Sequence, residues 1–127
     1  MPVAPQATPN APPTAGPYSP AVRAGDWLIC SGQVGFDANA GAMADGVDAQ
    51  TRHAMANIGV VLGDCGAAVA DIAKTTIFVV DLADFATVNA AYGEALGDHR
   101  PARSTVQVAA LPFGALVEIE VWAYLGS

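Results

Sequence analysis

The segment "VEIEVWAY", residues 117–124, alternates for eight residues between apolar side chains and a second set of different character. Successive strand residues leave opposite faces of a sheet, so Val117, Ile119, Val121 and Ala123 share one face. Glu118, Glu120, Trp122 and Tyr124 share the other. The first set needs an apolar cover, which helices supply. The second mixes carboxylates with large aromatic rings, a poor choice for a face that meets only water. It suits a sheet face that meets another chain.

The remaining pattern says what can surround that strand. At 127 residues the chain is one domain in size. Its composition, 53% hydrophobic and 13% charged, is that of a folded globule rather than a disordered segment. So few charges leave apolar surface uncovered in a monomer, which favours an oligomer. The formal net charge of −7 opposes binding to nucleic acid or to an anionic membrane, both of which need a cationic surface. Cys30 and Cys65 make no disulfide framework and no CxxC, no signal peptide precedes Arg23, and no apolar run reaches the length of a membrane span. The expectation is a cytoplasmic protein.

Residues 1–20 hold seven of the nine prolines and almost no periodicity, which predicts an extended arm rather than a packed element. Its boundary is placed at residue 12, with the folded domain at 13–127. "AVRAG" and "WLICSGQVG" flank Gly25-Asp26 and read as two strands of a hairpin, and residues 36–46 read as a loop. Val47, Thr51, Ala54, Met55, Ile58, Val61, Leu62 and Cys65 fall three or four apart, so the spacing predicts a helix over 47–65 with Gly66 as its stop. "DIAKTTIFVVD" (71–81) is a β-branched run suited to a central strand. A second helix is expected over 84–96, with Asp84 as N-cap and Phe85, Val88, Asn89, Tyr92 and Leu96 on one face. Strands 103–110 and 116–125 close the chain. The architecture is α+β, a single mixed sheet with two helices on one face.

Most chemical constellations are missing. His53 and His99 have no second ligand at a metal-binding spacing. Cys30 lies in an apolar strand without an adjacent base, and Lys74, the one lysine, reads as a solvated side chain. No GxxxxGK[ST] occurs, and no GxGxxG follows a strand, so nucleotide cofactors have no visible home. Arg103, one of only five basic residues, opens a strand-like run. Taken alone, Arg103 with Glu118 is most simply a structural ion pair. A hairpin of the last two strands, however, sets Glu118 against Val108, about 16 Å from Arg103. Either the pair is irrelevant or the strands are arranged differently.

The stretches "NAPPTAGPYSPAV", "LICSGQVGFD", "DAQTRHAMANIGVVL", "DIAKTTIFVVDLADFATVNAAYGEAL", "PARSTVQVAALP" and "VEIEVWA" together resemble the RidA (YjgF) family of imine/enamine deaminases, from Asn10 to Leu125. The resemblance implies a Bacillus chorismate mutase-like fold. In it the sheets of a homotrimer close a central β-barrel, pockets lie between subunits, and the last strand inserts between an earlier strand and the 71–81 strand. It implies hydrolysis of reactive 2-imino acids and enamines, such as 2-aminoacrylate, to 2-keto acids and ammonia, with no cofactor. Arg103 in "PARS" then holds the substrate carboxylate, which a guanidinium can grip bidentately. Glu118 in "EIE" positions and deprotonates water, and Tyr18 in "GPY" donates a hydrogen bond. Thr105 binds through its backbone, while Ser31, Asn89 and Phe85 are pocket-wall residues. Glu120 reads as an interface carboxylate and Arg100 as a solvated loop residue. Two departures stand out: Thr105 occupies a position where many relatives carry cysteine, and the segment between Asn89 and Arg103 is short. A non-catalytic homologue binding carboxylates or keto acids is the alternative. RNA cleavage, proposed for some relatives, is disfavoured by the acidic composition and the lack of a histidine pair.

Overall fold

The structure is a computed structural model and describes residues 2–127. In chain order the strands are β1 (Val3–Pro5), β2 (Ala21–Ala24), β3 (Trp27–Cys30), β4 (Gln33–Val34), β5 (Phe36–Asp37) and β6 (Ala42–Met43). Then come α1 (Val47–Asp64), β7 (Ile72–Val79), α2 (Phe85–Leu96), β8 (Ala102–Gln107) and β9 (Val117–Tyr124). The principal sheet has the order β1-β2-β3-β9-β7-β8, with β4 also pairing to β9, and β5 and β6 form a small hairpin of their own. It is an α+β fold with one mixed sheet and two helices, as the periodicities predict.

The alternation of 117–124 survives in the folded chain. Val117, Ile119, Val121 and Ala123 are fully buried, while Trp122 and Tyr124 stay exposed. The apolar face joins Leu28, Ile77, Val79 and the buried stripe of α1, including Ala54, Ile58, Val61 and Leu62, in one core with Val88 and Leu96 of α2. The opposite face carries Glu118, Glu120, Trp122 and Tyr124 with no helix of this chain over it. Trp27 packs edge-on against both Trp122 and Tyr124, at centroid separations of 5.9 and 5.0 Å.

The hairpin of the last two strands is corrected. β9 runs antiparallel between β3 and β7, and β8 pairs in parallel with the far side of β7. The turn Pro112–Gly114 lies in the crossover between β8 and β9, and in the sheet the two strands have β7 between them. The inserted last strand is the arrangement that the family resemblance implies. The arm is also corrected in part: it is extended, yet Val3–Pro5 pair with β2 as an edge strand. Prolines suit that place, because an edge strand leaves some amides unused.

Three local expectations change in detail. The 36–46 loop contains the β5–β6 hairpin. Asp84 occupies the N-cap position of α2 without a side-chain hydrogen bond, and the carboxylate of Asp81 instead accepts from the Ala83 amide at 2.9 Å. On α2, Val88, Ala91, Tyr92 and Leu96 are buried, whereas Phe85 remains 43% exposed at the end of the face where it meets Arg103.

Candidate active site

Register decides where the candidate residues stand. Arg103 pairs with Thr75 and Thr105 with Ile77, and both Thr75 and Ile77 are fully buried on the helix-covered face. Arg103 and Thr105 therefore project toward the helices. Glu118 pairs with Phe78, on the opposite face. Two inter-strand steps and three residues of offset put the two positions about 14 Å apart, with the sheet between them. No ion pair joins them, and within one chain none can form.

On the helix side, the Arg103 guanidinium lies 5.5 Å from the Phe85 ring centroid and 5.2 Å from that of Tyr92. Tyr92 is fixed by a buried 2.7 Å hydrogen bond between its hydroxyl and that of Thr75. The other basic residues are all engaged. Arg23 donates to the Gly25 carbonyl, Arg52 pairs with Asp48 and Glu94, Lys74 donates to Ser104, and Arg100 donates to the carbonyls of Gly97 and His99. Among the described residues, Arg103 alone of the five has neither a hydrogen bond nor an ion pair. It lines a recess with Asn89, Tyr92, Gly93, Arg100 and Pro101. Among the described residues, Asn89 Oδ1 and Thr105 Oγ1 are the two buried side-chain polar atoms left without a partner. Such atoms are costly unless something else satisfies them.

On the open side, Glu118 lines a cleft of about 440 Å³ with Tyr18, Gly32, Gln33 and Phe113. Burial pushes its carboxyl above the usual carboxylate range, and the neighbouring Glu120 charge adds to the rise. Gly32 leaves room for this carboxyl: a Cβ there would lie 2.7 Å from Glu118 Cδ. The Tyr18 hydroxyl accepts from the Ala15 amide at 3.2 Å, leaving its proton free to donate. Ser31 works behind the cleft. Its hydroxyl donates to the Ser19 carbonyl at 2.7 Å and its amide to the Pro20 carbonyl at 2.9 Å, which fixes the segment carrying Tyr18.

The structure thus gathers Tyr18 and Glu118 at one cleft, and Arg103, Asn89, Phe85 and Thr105 at a separate sheet edge. Sequence reading missed the buried amides that hold the cleft. Asn57 donates to the carbonyls of Val34 and Phe36, and Gln50 bridges the Ala44 carbonyl and the Leu116 amide. They stand two helical turns apart beside the apolar stripe of α1, a spacing that could have exposed them. Cys30 is inert: burial pushes its thiol up to about 12. His53 lies 3.7 Å from Asp37, and His99 Nε2 meets the Ile72 carbonyl at 2.7 Å.

Comparison with known proteins adds to this geometry. Residues 8–125 match the family model described as Endoribonuclease L-PSP. The chain is 47% identical over 120 residues to the 2-iminobutanoate/2-iminopropanoate deaminase of Salmonella typhimurium, covering 92% of this chain and 94% of that one. Two solved structures from Escherichia coli superpose closely. The YjgF gene product has a TM-score of 0.87 at 41% identity, covering 94% of this chain and 97% of that one. TdcF with bound serine has a TM-score of 0.89 at 35% identity, covering 96% and 98%.

Proposed function

The chain belongs to the Endoribonuclease L-PSP family, which includes the RidA-type imine deaminases, and from that premise we propose that it hydrolyses the C=N bond of small 2-imino acids. The products are a 2-keto acid and ammonia, and 2-aminoacrylate enters after tautomerising to its imine. The reading rests on one observation above all: Arg103 is held over two rings without a hydrogen bond or an ion pair. An anionic ligand would supply the missing partner. That the TdcF relative binds serine, a small carboxylate, supports such a ligand.

In the proposed site the guanidinium grips the substrate carboxylate with two parallel hydrogen bonds. The Thr105 backbone and the Asn89 amide take the remaining polar atoms. Glu118, as carboxylate, removes a proton from water as the oxygen adds to C2 and the C=N π electrons move to nitrogen, which takes that proton from Glu118. The resulting carbinolamine collapses to the ketone as Glu118 accepts its hydroxyl proton and passes it to the departing nitrogen, releasing ammonia. A carboxyl raised by burial is a better base for this than an ordinary one. Tyr18 donates its free hydroxyl proton to substrate or water.

Because Arg103 and Glu118 occupy opposite faces of one sheet, the two can act together only across a subunit boundary, with β8 of one protomer against the open face of the next. A homotrimer supplies three such seams. Mixing inactive variants tests this directly. Arg103→Ala and Glu118→Gln, each inactive alone, should recover about a quarter of wild-type turnover when unfolded together and reassembled, since about one seam in four then holds both native groups. No recovery from correctly assembled mixtures would overturn the shared site. Keto-acid binding without turnover of any imine would favour the purely binding homologue. The net charge of −7 argues against the nuclease activity in the family's name.

A further inference from the structure

The Glu118 cleft holds more than the reaction needs. Its volume of about 440 Å³ lies within the roughly 300–1,000 Å³ of clefts that take drug-sized ligands, whereas 2-iminobutanoate has about seven non-hydrogen atoms. The excess is lined by apolar groups: Pro12, Val34, Phe36, Met43 and Phe113. Phe113 is unusual among them. It is 70% exposed, the most exposed of the large apolar side chains, and at φ 61° it is the one non-glycine residue with positive φ among those described. A bulky residue in the left-handed region is uncommon, and such strain collects where a side chain must be aimed. Here it sits within the Pro112–Gly114 turn, beside a glycine that takes φ 66° without difficulty.

We propose that Phe113 is a specificity-determining residue, which with Phe36 and Met43 selects 2-imino acids bearing larger apolar side chains over those derived from alanine. This rests on the deaminase reading. The carboxylate and C=N group would be fixed at the Arg103–Glu118 seam, so the substrate side chain is left to fill the apolar remainder of the cleft. Burying extra methylenes against Phe113 strengthens binding in proportion to the area covered. The strained turn keeps the ring at the cleft, where a relaxed turn would let it move away.

The test is turnover of imines generated in place by an amino-acid oxidase from alanine, 2-aminobutyrate, leucine and phenylalanine. Wild type should show kcat/KM rising along the series. Phe113→Gly removes the ring while keeping a residue that adopts positive φ easily, so the fold is preserved. It should lower kcat/KM roughly 5- to 20-fold for the leucine and phenylalanine imines and less than about 2-fold for the alanine imine. Phe113→Leu should retain most of the preference. An equal loss across the series, or none, would overturn the assignment. Should no imine turn over, the deaminase reading fails by itself, and the selectivity is then read from product binding. Tighter binding of 4-methyl-2-oxopentanoate than of pyruvate, lost in Phe113→Gly, supports it, and equal binding refutes it.

Discussion

Arg103 and Glu118 face different physical problems. A guanidinium lying over the Phe85 and Tyr92 rings keeps its planar fork available, because the rings hold its position without using its N–H donors. Arg103→Lys should therefore keep the charge and lose the fork. A charge-assisted hydrogen bond contributes about 1.5–3 kcal/mol, so kcat/KM should fall roughly 10- to 100-fold, mainly through KM. Steady-state kinetics on the alanine-derived imine would check this. For Glu118 the sign follows from its raised carboxyl. The folded chain holds that proton to higher pH than the unfolded chain does, so this group's contribution to stability is greatest below the unfolded value near 4.5. It declines as pH rises through the raised folded value, then levels off. Glu118→Gln should flatten the decline in thermal melts across this window while lowering kcat roughly 10²- to 10⁴-fold. In the wild type, kcat/KM should rise with pH over the same window.

At the scale of elements, two neighbouring glycines make a controlled comparison. A Cβ on Gly32 would press on the carboxyl end of Glu118, which can swing aside. A Cβ on Gly35 would strike the backbone of Gln50, where α1 meets the strand segment, and that backbone cannot give way cheaply. Gly32→Ala should therefore reduce kcat with little change in melting temperature. Gly35→Ala should cost about 1–3 kcal/mol of stability, a fall in Tm of roughly 4–12 °C. A drop in Tm for both variants, with equal loss of activity, would show that Gly32 serves the fold and not the carboxylate. The elements themselves were largely legible. β-branched runs and three-to-four spacing located β7, α1 and α2 because local periodicity records which face is buried. Asn57 and Gln50 escaped although their spacing places them beside the apolar stripe, because spacing alone does not say what a side-chain amide bonds to. Their backbone partners on other segments are set only by the fold.

At the scale of the molecule, an uncovered sheet face bearing Trp27, Trp122 and Tyr124 with two carboxylates calls for a partner. We expect a trimer of about 38 kDa, three times 12.8 kDa, by light scattering. Trp122→Glu, placing a third carboxylate on that face, should shift it toward monomer and abolish turnover together. A monomer retaining full activity would contradict a site shared between subunits. Binding to RNA should be undetectable at physiological salt, given the acidic charge balance.

By itself the sequence determined the sheet's two characters, the helices that cover one of them, and the scarcity of cations that made Arg103 conspicuous. Each is written in spacing along a few residues, so neighbours in the chain suffice to read it. Which strands lie side by side was decided only in three dimensions, because pairing of β9 between β3 and β7 joins residues from 38 to 97 positions apart. That pairing puts Arg103 and Glu118 on opposite faces of the sheet and leaves each with half of the chemistry. Periodicity says that a residue faces one way. Only the assembled sheet says what it faces.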